Sequence, residues 1–372
     1  MKITFPHMGN TYITGKVLLD ELGVEYIVPP FNNKKALEIG TKYSPEMACL
    51  PLKINLGNYI QAYEQGADTV LITGGCGPCR FGYYCEIERE ILKDIGYEMD
   101  VIALEMPDQG IGELVRRVKK IAGGFNVFRI TKTLKNVAQI SVMVDELEKL
   151  TYKVRPREIK KGTTDRLYKN FQNQVLKMKG ASQIKQLIKD TREKLENVEI
   201  DRDFVPIKIG IVGEIYTTID SYTCFNIDAK LGNMGIEVDR AVTISEWVVD
   251  HIIKTALHLP RDTRYIDAAK PYLGTMIGGH AQETIGNTIL YAQEGYDGVL
   301  QIYPLTCMPE IVAQSILPAI ERDYNIPILT LIIDELTGEA GYMTRLEAFI
   351  DLLKKRRERT SIAEETSLLF GH

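Results

Sequence analysis

No stretch of the chain is apolar for long enough to span a bilayer. The opening residues, MKITFPHMGNTYITGK, read as a strand and a loop without the apolar core of a secretory signal. Positive charge is not in excess either: 45 Lys and Arg stand against 50 Asp and Glu, a formal net charge of −5. A chain so balanced has no surplus of cations to exchange for phosphate counterions, which argues against a broad nucleic-acid-binding face. These absences leave an expected cytoplasmic protein, with no membrane and no nucleic acid among its partners. Complete nucleotide motifs are missing too. The nearest approach to a phosphate loop, Gly9 to Val17, has one residue too many between its glycines and a valine where Ser or Thr would bind magnesium. Gly210-Ile-Val-Gly213 is too short for a dinucleotide fingerprint. Any ATP hydrolysis would have to come from a partner.

What is present is ordinary in bulk and unusual in detail. With 372 residues, 45% hydrophobic and 26% charged, the chain is long enough for two domains with sizeable cores. Strand-length apolar runs alternate with amphipathic stretches: MKITFPH, GKVLLDELG, VEYIVPP, NYIQAYEQG, DTVLITGG, IEREILKDIG and MDVIALE. The pattern restarts at Phe204 with VPIKIGIVGE, NIDAKLGNMG and IEVDRAV. This alternation predicts parallel α/β layers. Residues 126–203 differ, being charged, poor in glycine and spaced for helix. The expected organisation is a Rossmann-like lobe over 1–125, a helical insertion or linker over 126–203, and a second Rossmann-like lobe over 204–372. The basic run KVRPREIKKGTTDR and the later KKRRER are expected as solvated faces, with a phosphate-bearing ligand or an acidic partner as the alternative for the first.

An internal repeat supports two related lobes. Gly57, Asn58, Ile60, Gly66 and Asp68 recur as Gly286, Asn287, Ile289, Gly295 and Asp297 with identical spacing. Cys76 and Cys307 follow the repeated strands, at the carboxyl ends where open α/β sheets collect ligands.

The six cysteines carry the chemistry. Cys76-Gly-Pro-Cys79 is the tetrapeptide of a dithiol exchanger, but it follows Gly74-Gly75, precedes a third cysteine, and lies in too large a chain. A zinc ribbon would need a second Cys-x-x-Cys knuckle, which the sequence lacks. An iron–sulfur cluster asks for a close group of thiolates plus distant single ones, with small residues through which backbone amides approach the sulfides. Cys76, Cys79 and Cys85, with Gly74, Gly75, Gly77 and Gly82, meet that requirement, and Cys49, Cys224 and Cys307 stand singly in loop-like settings. For each single cysteine the competing reading is a small buried hydrophobe. His280, in a glycine-rich loop before the second repeat's helix, is a candidate proton donor. Arg80, directly after Cys79, is a candidate to stabilise a reduced cluster. His7, Glu214 and Glu283 fall near the same rim.

MACLPLKINLGN, TGGCGPCRFGYYCEIEREIL and DELTGEAGYMTRLEAF are similar to the 2-hydroxyacyl-CoA dehydratase-like, activase-related iron–sulfur proteins, a group that includes the double-cubane cluster proteins. The resemblance runs from the first strand to about Phe349 and is weakest over the helical middle. It implies two Rossmann-like lobes around an iron–sulfur centre, a homodimer, and a separate ATP-hydrolysing activase carrying its own cluster. It implies either a [4Fe–4S] centre on three cysteines or an [8Fe–9S] double cubane on six. The ligand candidates are then Cys49, Cys76, Cys79, Cys85, Cys224 and Cys307. The implied activity is low-potential reduction of a small molecule or an acyl-CoA; a non-catalytic electron or cluster carrier and a cluster-free binding protein are the alternatives.

Overall fold

The computed structural model describes residues 1–72, 79–103, 126–248 and 263–370, with Arg116, Lys119, Ile121 and Gly124 besides. Cys76, Gly74, Gly75, Gly77, His251, His258 and His372 lie outside the described residues. The first lobe runs β1 (Ile3–Thr4), α1 (Thr11–Leu22), α2 (Lys34–Tyr43), α3 (Leu50–Tyr63), β2 (Thr69–Ile72), α4 (Tyr84–Asp94) and β3 (Asp100–Ala103). Three helices follow: α5 (Val127–Val154), α6 (Thr163–Val175) and α7 (Gly180–Glu196). The second lobe begins with β4 (Ile207–Gly213), α8 (Ile215–Ile219), α9 (Ile227–Asn233), β5 (Ile236–Arg240) and α10 (Ile244–Val248). It ends with α11 (Arg264–Ala269), α12 (Ala281–Gln293), β6 (Gly298–Pro304), α13 (Met308–Tyr324), β7 (Ile328–Ile333) and α14 (Glu339–Phe370).

Both sheets are parallel, as the alternation predicts. Their central strands β2 and β6 are buried at every residue, because helices cover both faces. The second sheet has the order β5-β4-β6-β7, and the first runs β1-β2-β3 with Tyr26 bridging to the free side of β1. The segment VEYIVPP thus contributes a single bridge where a strand is expected, since Pro29 and Pro30 lack the N–H groups that would extend the ladder. Allowing for that, the two lobes share one topology.

The repeat is structural down to its hydrogen bonds. Lys2 N–H donates to the Asp68 carboxylate at 2.7 Å, and Lys208 N–H donates to the Asp297 carboxylate at 2.8 Å. In return Asp68 N–H reaches Lys2 O at 3.0 Å and Asp297 N–H reaches Lys208 O at 2.9 Å. Each aspartate therefore sets the register of a central strand against the first strand of its lobe: Ile3 pairs with Thr69, and Ile209 with Gly298. The repeated glycines explain themselves too. A Cβ on Gly57 would come within 1.9 Å of Ala36 O, and one on Gly286 within 1.9 Å of Tyr265 O. In both lobes the helix before the central strand crosses its neighbour with the backbones nearly touching.

Helices α5 and α7 pack on α1, with Ile140, Val144, Ile184 and Ile188 in one core with Ile13 and Val17. The basic run at their end is not simply a solvated face. Arg155 is 2% exposed and binds Asp165 at 2.7 Å, and Arg157 pairs with Glu237 at 2.6 Å. These arginines are consumed by acids of α6 and β5, which ties the helical segment to the second lobe; Lys160 and Lys161 remain exposed.

The same boundary holds a titratable cluster. Glu148, its side chain 17% exposed, faces Arg240 at 3.4 Å, and Arg240 also pairs with Asp228 at 3.2 Å. Burial pushes the Glu148 carboxyl up to about 7, with Arg240 opposing and Asp228 and Asp145 adding to the rise. A carboxyl raised on folding makes the native chain bind more protons than the unfolded one, so stability falls as pH climbs from the usual Glu range towards 7. Urea unfolding between pH 5 and pH 8 should show a decline in stability of which about 2 kcal/mol belongs to Glu148 and is lost in Glu148→Gln, the raised carboxyls of Glu88 and Glu310 supplying the remainder. An unchanged pH dependence in that variant would contradict the assignment.

Candidate functional site

The lobes meet across the carboxyl ends of their sheets. Tyr216 OH donates to His7 O at 2.6 Å, and the Asn32 amide donates to the same oxygen at 3.0 Å. Gly9 N–H donates to Asp220 at 3.2 Å, and Lys53, 2% exposed, pairs with Glu335 at 2.5 Å. Lys16, the lysine of the imperfect phosphate loop, is buried between Asp20 and Tyr26 and is not available to a phosphate.

In a sheet with this strand order, the topological switch lies between the first strand and the central one. Here those strands are β1 and β2 in one lobe and β4 and β6 in the other. His7, Cys79, Glu214 and Cys307 all follow their carboxyl ends. Gly213, at φ +132°, lets β4 close on β6, where a Cβ would fall within 1.9 Å of Ile302 O. Glu214 N–H then donates to that same oxygen at 3.0 Å, which brings the Glu214 carboxylate to the base of the cysteine loop.

Cys49, Cys79 and Cys307 occupy one kind of position. Each immediately precedes a helix: α3, the turn Arg80–Tyr83 that leads into α4, and α13. None of the three makes a side-chain capping bond. A proline follows two residues after both Cys49 and Cys307, starting the helix where an N–H is not needed. Helix N-termini favour a negative sulfur, so three thiolates here would find backbone dipoles aimed at them.

Arg80 fastens these loops together. Its guanidinium donates to Met47 O at 2.8 Å, to Thr306 Oγ1 at 3.0 Å and to Thr306 O. Thr306 Oγ1 donates in turn to Met47 O at 3.2 Å. One side chain next to Cys79 thus binds the loop leading to Cys49 in the first lobe and the loop leading to Cys307 in the second. Thr306 is held at φ +69°, a left-handed conformation that a threonine rarely adopts.

Burial governs the thiols. It pushes Cys49 up to about 11, with the Tyr84 hydrogen bond and Arg80 opposing and Glu214 and Cys79 adding. Cys79 is raised by burial, backbone hydrogen bonding opposing and Glu214 adding. Cys307 is raised much further, by burial first and then by Glu214, Glu310 and Cys49. As bare protein the three stay neutral; thiolates at these positions, two half-buried and one buried, would require cationic charge beyond that of Arg80.

Cys85 and Cys224 are not brought to this point. Cys85 lies on α4 in the core of the first lobe, with Arg89 donating to its sulfur at 3.3 Å. Cys224 is 0% exposed in the core of the second lobe among Ile227, Leu231 and Tyr342, its thiol pushed up to about 12 by burial. Its polar sequence neighbours suggest a loop cysteine, but the turn into α9 folds it inward. Of the glycines, Gly82 sits in the turn after Cys79. His280 immediately precedes α12 and faces Glu310, whose buried carboxyl hydrogen-bonds Thr284 and Gln301. His7 is 2% exposed and stacked on Tyr12, so it packs rather than lines a surface.

Among the described residues, no group of three or more His, Cys, Asp or Glu side chains is gathered tightly enough to hold a metal ion. A multinuclear cluster fills the space between its ligands with its own iron and sulfide, so the sulfurs that hold it stand further apart. The donor set fits on chemistry: soft sulfur at three helix starts, without capping bonds. Residues that sequence reasoning passed over are Tyr84, hydrogen-bonded to Cys49 Sγ, and the buried glutamates Glu88 and Glu310. Only the repeat hints at the glutamates, by aligning the polar residues that face them. No protein-family model matches the chain, and no curated protein matches it.

Proposed function

We propose that the chain is the cluster-bearing, electron-accepting half of an ATP-dependent low-potential reductase system, with Cys49, Cys79 and Cys307 among the residues that hold an iron–sulfur cluster. Cys76, three residues before Cys79, is proposed with them. The observation that carries the reading is the Arg80 strap, which joins cysteine loops from both lobes at the topological switch. A bound cluster would supply one-electron chemistry at low potential.

The chain's own residues provide the setting. Arg80 contributes a fixed cation beside the sulfurs. Glu214 has its carboxylate tied to the N–H groups of Tyr216 and Thr217 at 3.0 and 2.9 Å, so its negative charge is fixed in place. The bonds of His7, Asn32 and Tyr216 close the floor of the cleft to water. At the flanks of the cysteine loops, Met47, Tyr83, Leu305 and Met308 are exposed, an apolar rim suited to a protein partner. We assign that partner as a separate ATP-hydrolysing activase with its own cluster, the substrate as a small molecule or an acyl-CoA, and the assembly as a homodimer.

Anaerobic purification followed by iron and acid-labile sulfide analysis tests the reading. About four irons per chain would identify a [4Fe–4S] centre and about eight a double cubane. Protein isolated without oxygen, reconstituted with iron and sulfide, and still free of both would end the proposal.

A further inference from the structure

The last helix outruns the lobe it belongs to. Tyr342, Leu346, Phe349, Ile350 and Leu353 of α14 recur every three or four residues and pack in the core of the second lobe. After Leu353 no described residue of the helix is buried, yet it runs on to Phe370, about 25 Å further. Where it leaves, the base of the lobe is apolar and open: Phe204 is 40% exposed, Val205 67% and Met234 36%. These three with Ile236 form the floor of a groove of about 660 Å3, and Lys354, Arg357 and Ile362 of α14 form its wall. The groove lies at the amino ends of β4 and β5, away from the cysteine loops. Arg357 donates to Val205 O at 3.1 Å, which holds the helix beside the floor. Among the described residues no carboxylate pairs with Lys354 or Arg357.

The chain itself supplies what fits. The remainder of α14 reads TSIAEETSLLF, apolar and acidic where the groove is apolar and basic. Helical spacing carries the face that starts with Lys354 and Arg357 on through Ser361, Glu365 and Leu368. That face is complementary to itself run backwards. Two such helices laid antiparallel about Ser361 set Arg357 against Glu365 twice, and Lys354 against Leu368 twice. A two-fold contact requires this reciprocity, in which residue i meets j and j meets i. Within one copy the face cannot meet itself, because a continuous helix does not fold back along its own length.

We propose that the occupant of the groove is the 360–370 segment of a second copy, so that two chains pair through antiparallel α14 helices, each seated in the groove of the other. The small Ser361 on the two-fold axis lets the backbones come close, and Leu368 of each copy reaches the apolar floor of its partner. The reciprocal pairs of Arg357 with Glu365 fix register and direction, as flanking charges do between paired helices. A helical extension of this length is marginal alone in water, and pairing gives it the tertiary packing from which most helical stability comes. Since the groove is at the amino ends of the strands, the contact leaves both cysteine clefts uncovered. The inference deepens the homodimer of the proposed function and rests on that part of it alone; the cluster has no role in it.

Sedimentation velocity of the full chain over a concentration series tests the pairing. Wild-type protein should run as a dimer. Arg357→Glu, which sets like charges opposite each other twice, should raise the dissociation constant by about 100-fold or more, and Glu365→Arg added to it should restore the constant to within about tenfold of wild type. That recovery also guards against a variant that merely fails to fold, and circular dichroism of both checks it. A photo-crosslinking phenylalanine in place of Val205, in a mixture of heavy-isotope-labelled and unlabelled chains, should join to the peptide carrying Leu368 of the other copy. A dimer that Arg357→Glu leaves unaltered would overturn this surface while the homodimer stands; a wild-type monomer would overturn both. Weakening without recovery in the double variant, or cross-links confined to one copy or reaching another segment of the second, would overturn the helix pairing.

Discussion

Serine in place of Cys307 is expected to strip most of the iron from anaerobically isolated protein, and serine at Cys49 or Cys79 to do the same. Changes to residues that merely orient metal ligands cost roughly 10–100-fold in affinity, so loss of a ligand should cost at least as much. The informative contrast is Cys224→Ser. That sulfur is sealed in the core of the second lobe, where the serine hydroxyl would be a poorly paired polar group costing about 1–3 kcal/mol. Its variant should therefore unfold earlier in urea yet keep its full iron content. Iron per chain and urea midpoint, read on the same preparations, separate the two classes. If Cys224→Ser lost its iron while Cys307→Ser kept it, the cleft would not be the metal centre.

The second large effect lies away from the sulfurs. Gly57→Ala should destabilise the first lobe by about 2–3 kcal/mol, because the added methyl meets a backbone carbonyl of α2 that no side-chain rotation can move aside. That net figure already allows for alanine's better helix propensity, worth about 1 kcal/mol in the opposite direction. Gly286→Ala should behave alike against Tyr265 O in the second lobe. Gly341→Ala, in α14 with nothing within 4 Å of the new methyl, should be neutral or slightly stabilising. Since Cys49 immediately precedes α3, forcing α3 away from α2 should also lower iron retention in Gly57→Ala, linking the crossing to the cleft. Equal urea midpoints for the Gly57 and Gly341 variants would show that the crossing relaxes freely.

Much of the framework was legible because it rests on local pattern. Strand-length apolar runs and helical spacing marked the strands and helices of both lobes, and the repeat of Gly57 and Asp68 as Gly286 and Asp297 announced a shared topology. The exceptions have physical reasons. VEYIVPP has strand composition, but two prolines end its pairing at a single bridge. The arginines of KVRPREIKKGTTDR read as a solvated charge run, because the acids that neutralise them, Asp165 apart, lie far along the chain. Cys224 has the polar neighbours of a loop cysteine, yet the direction of one turn sends it into the core.

By itself the sequence determined the layered α/β class, the parallel strands, the helical middle and the sibling lobes, since each follows from periodicity and spacing over a few dozen residues. Only the tertiary structure decided which sulfurs share a cleft and that Arg80 is the residue fastening them. Those facts depend on how chain segments more than two hundred residues apart approach one another, and on which side chains desolvate when they do. Neither is encoded in any local stretch.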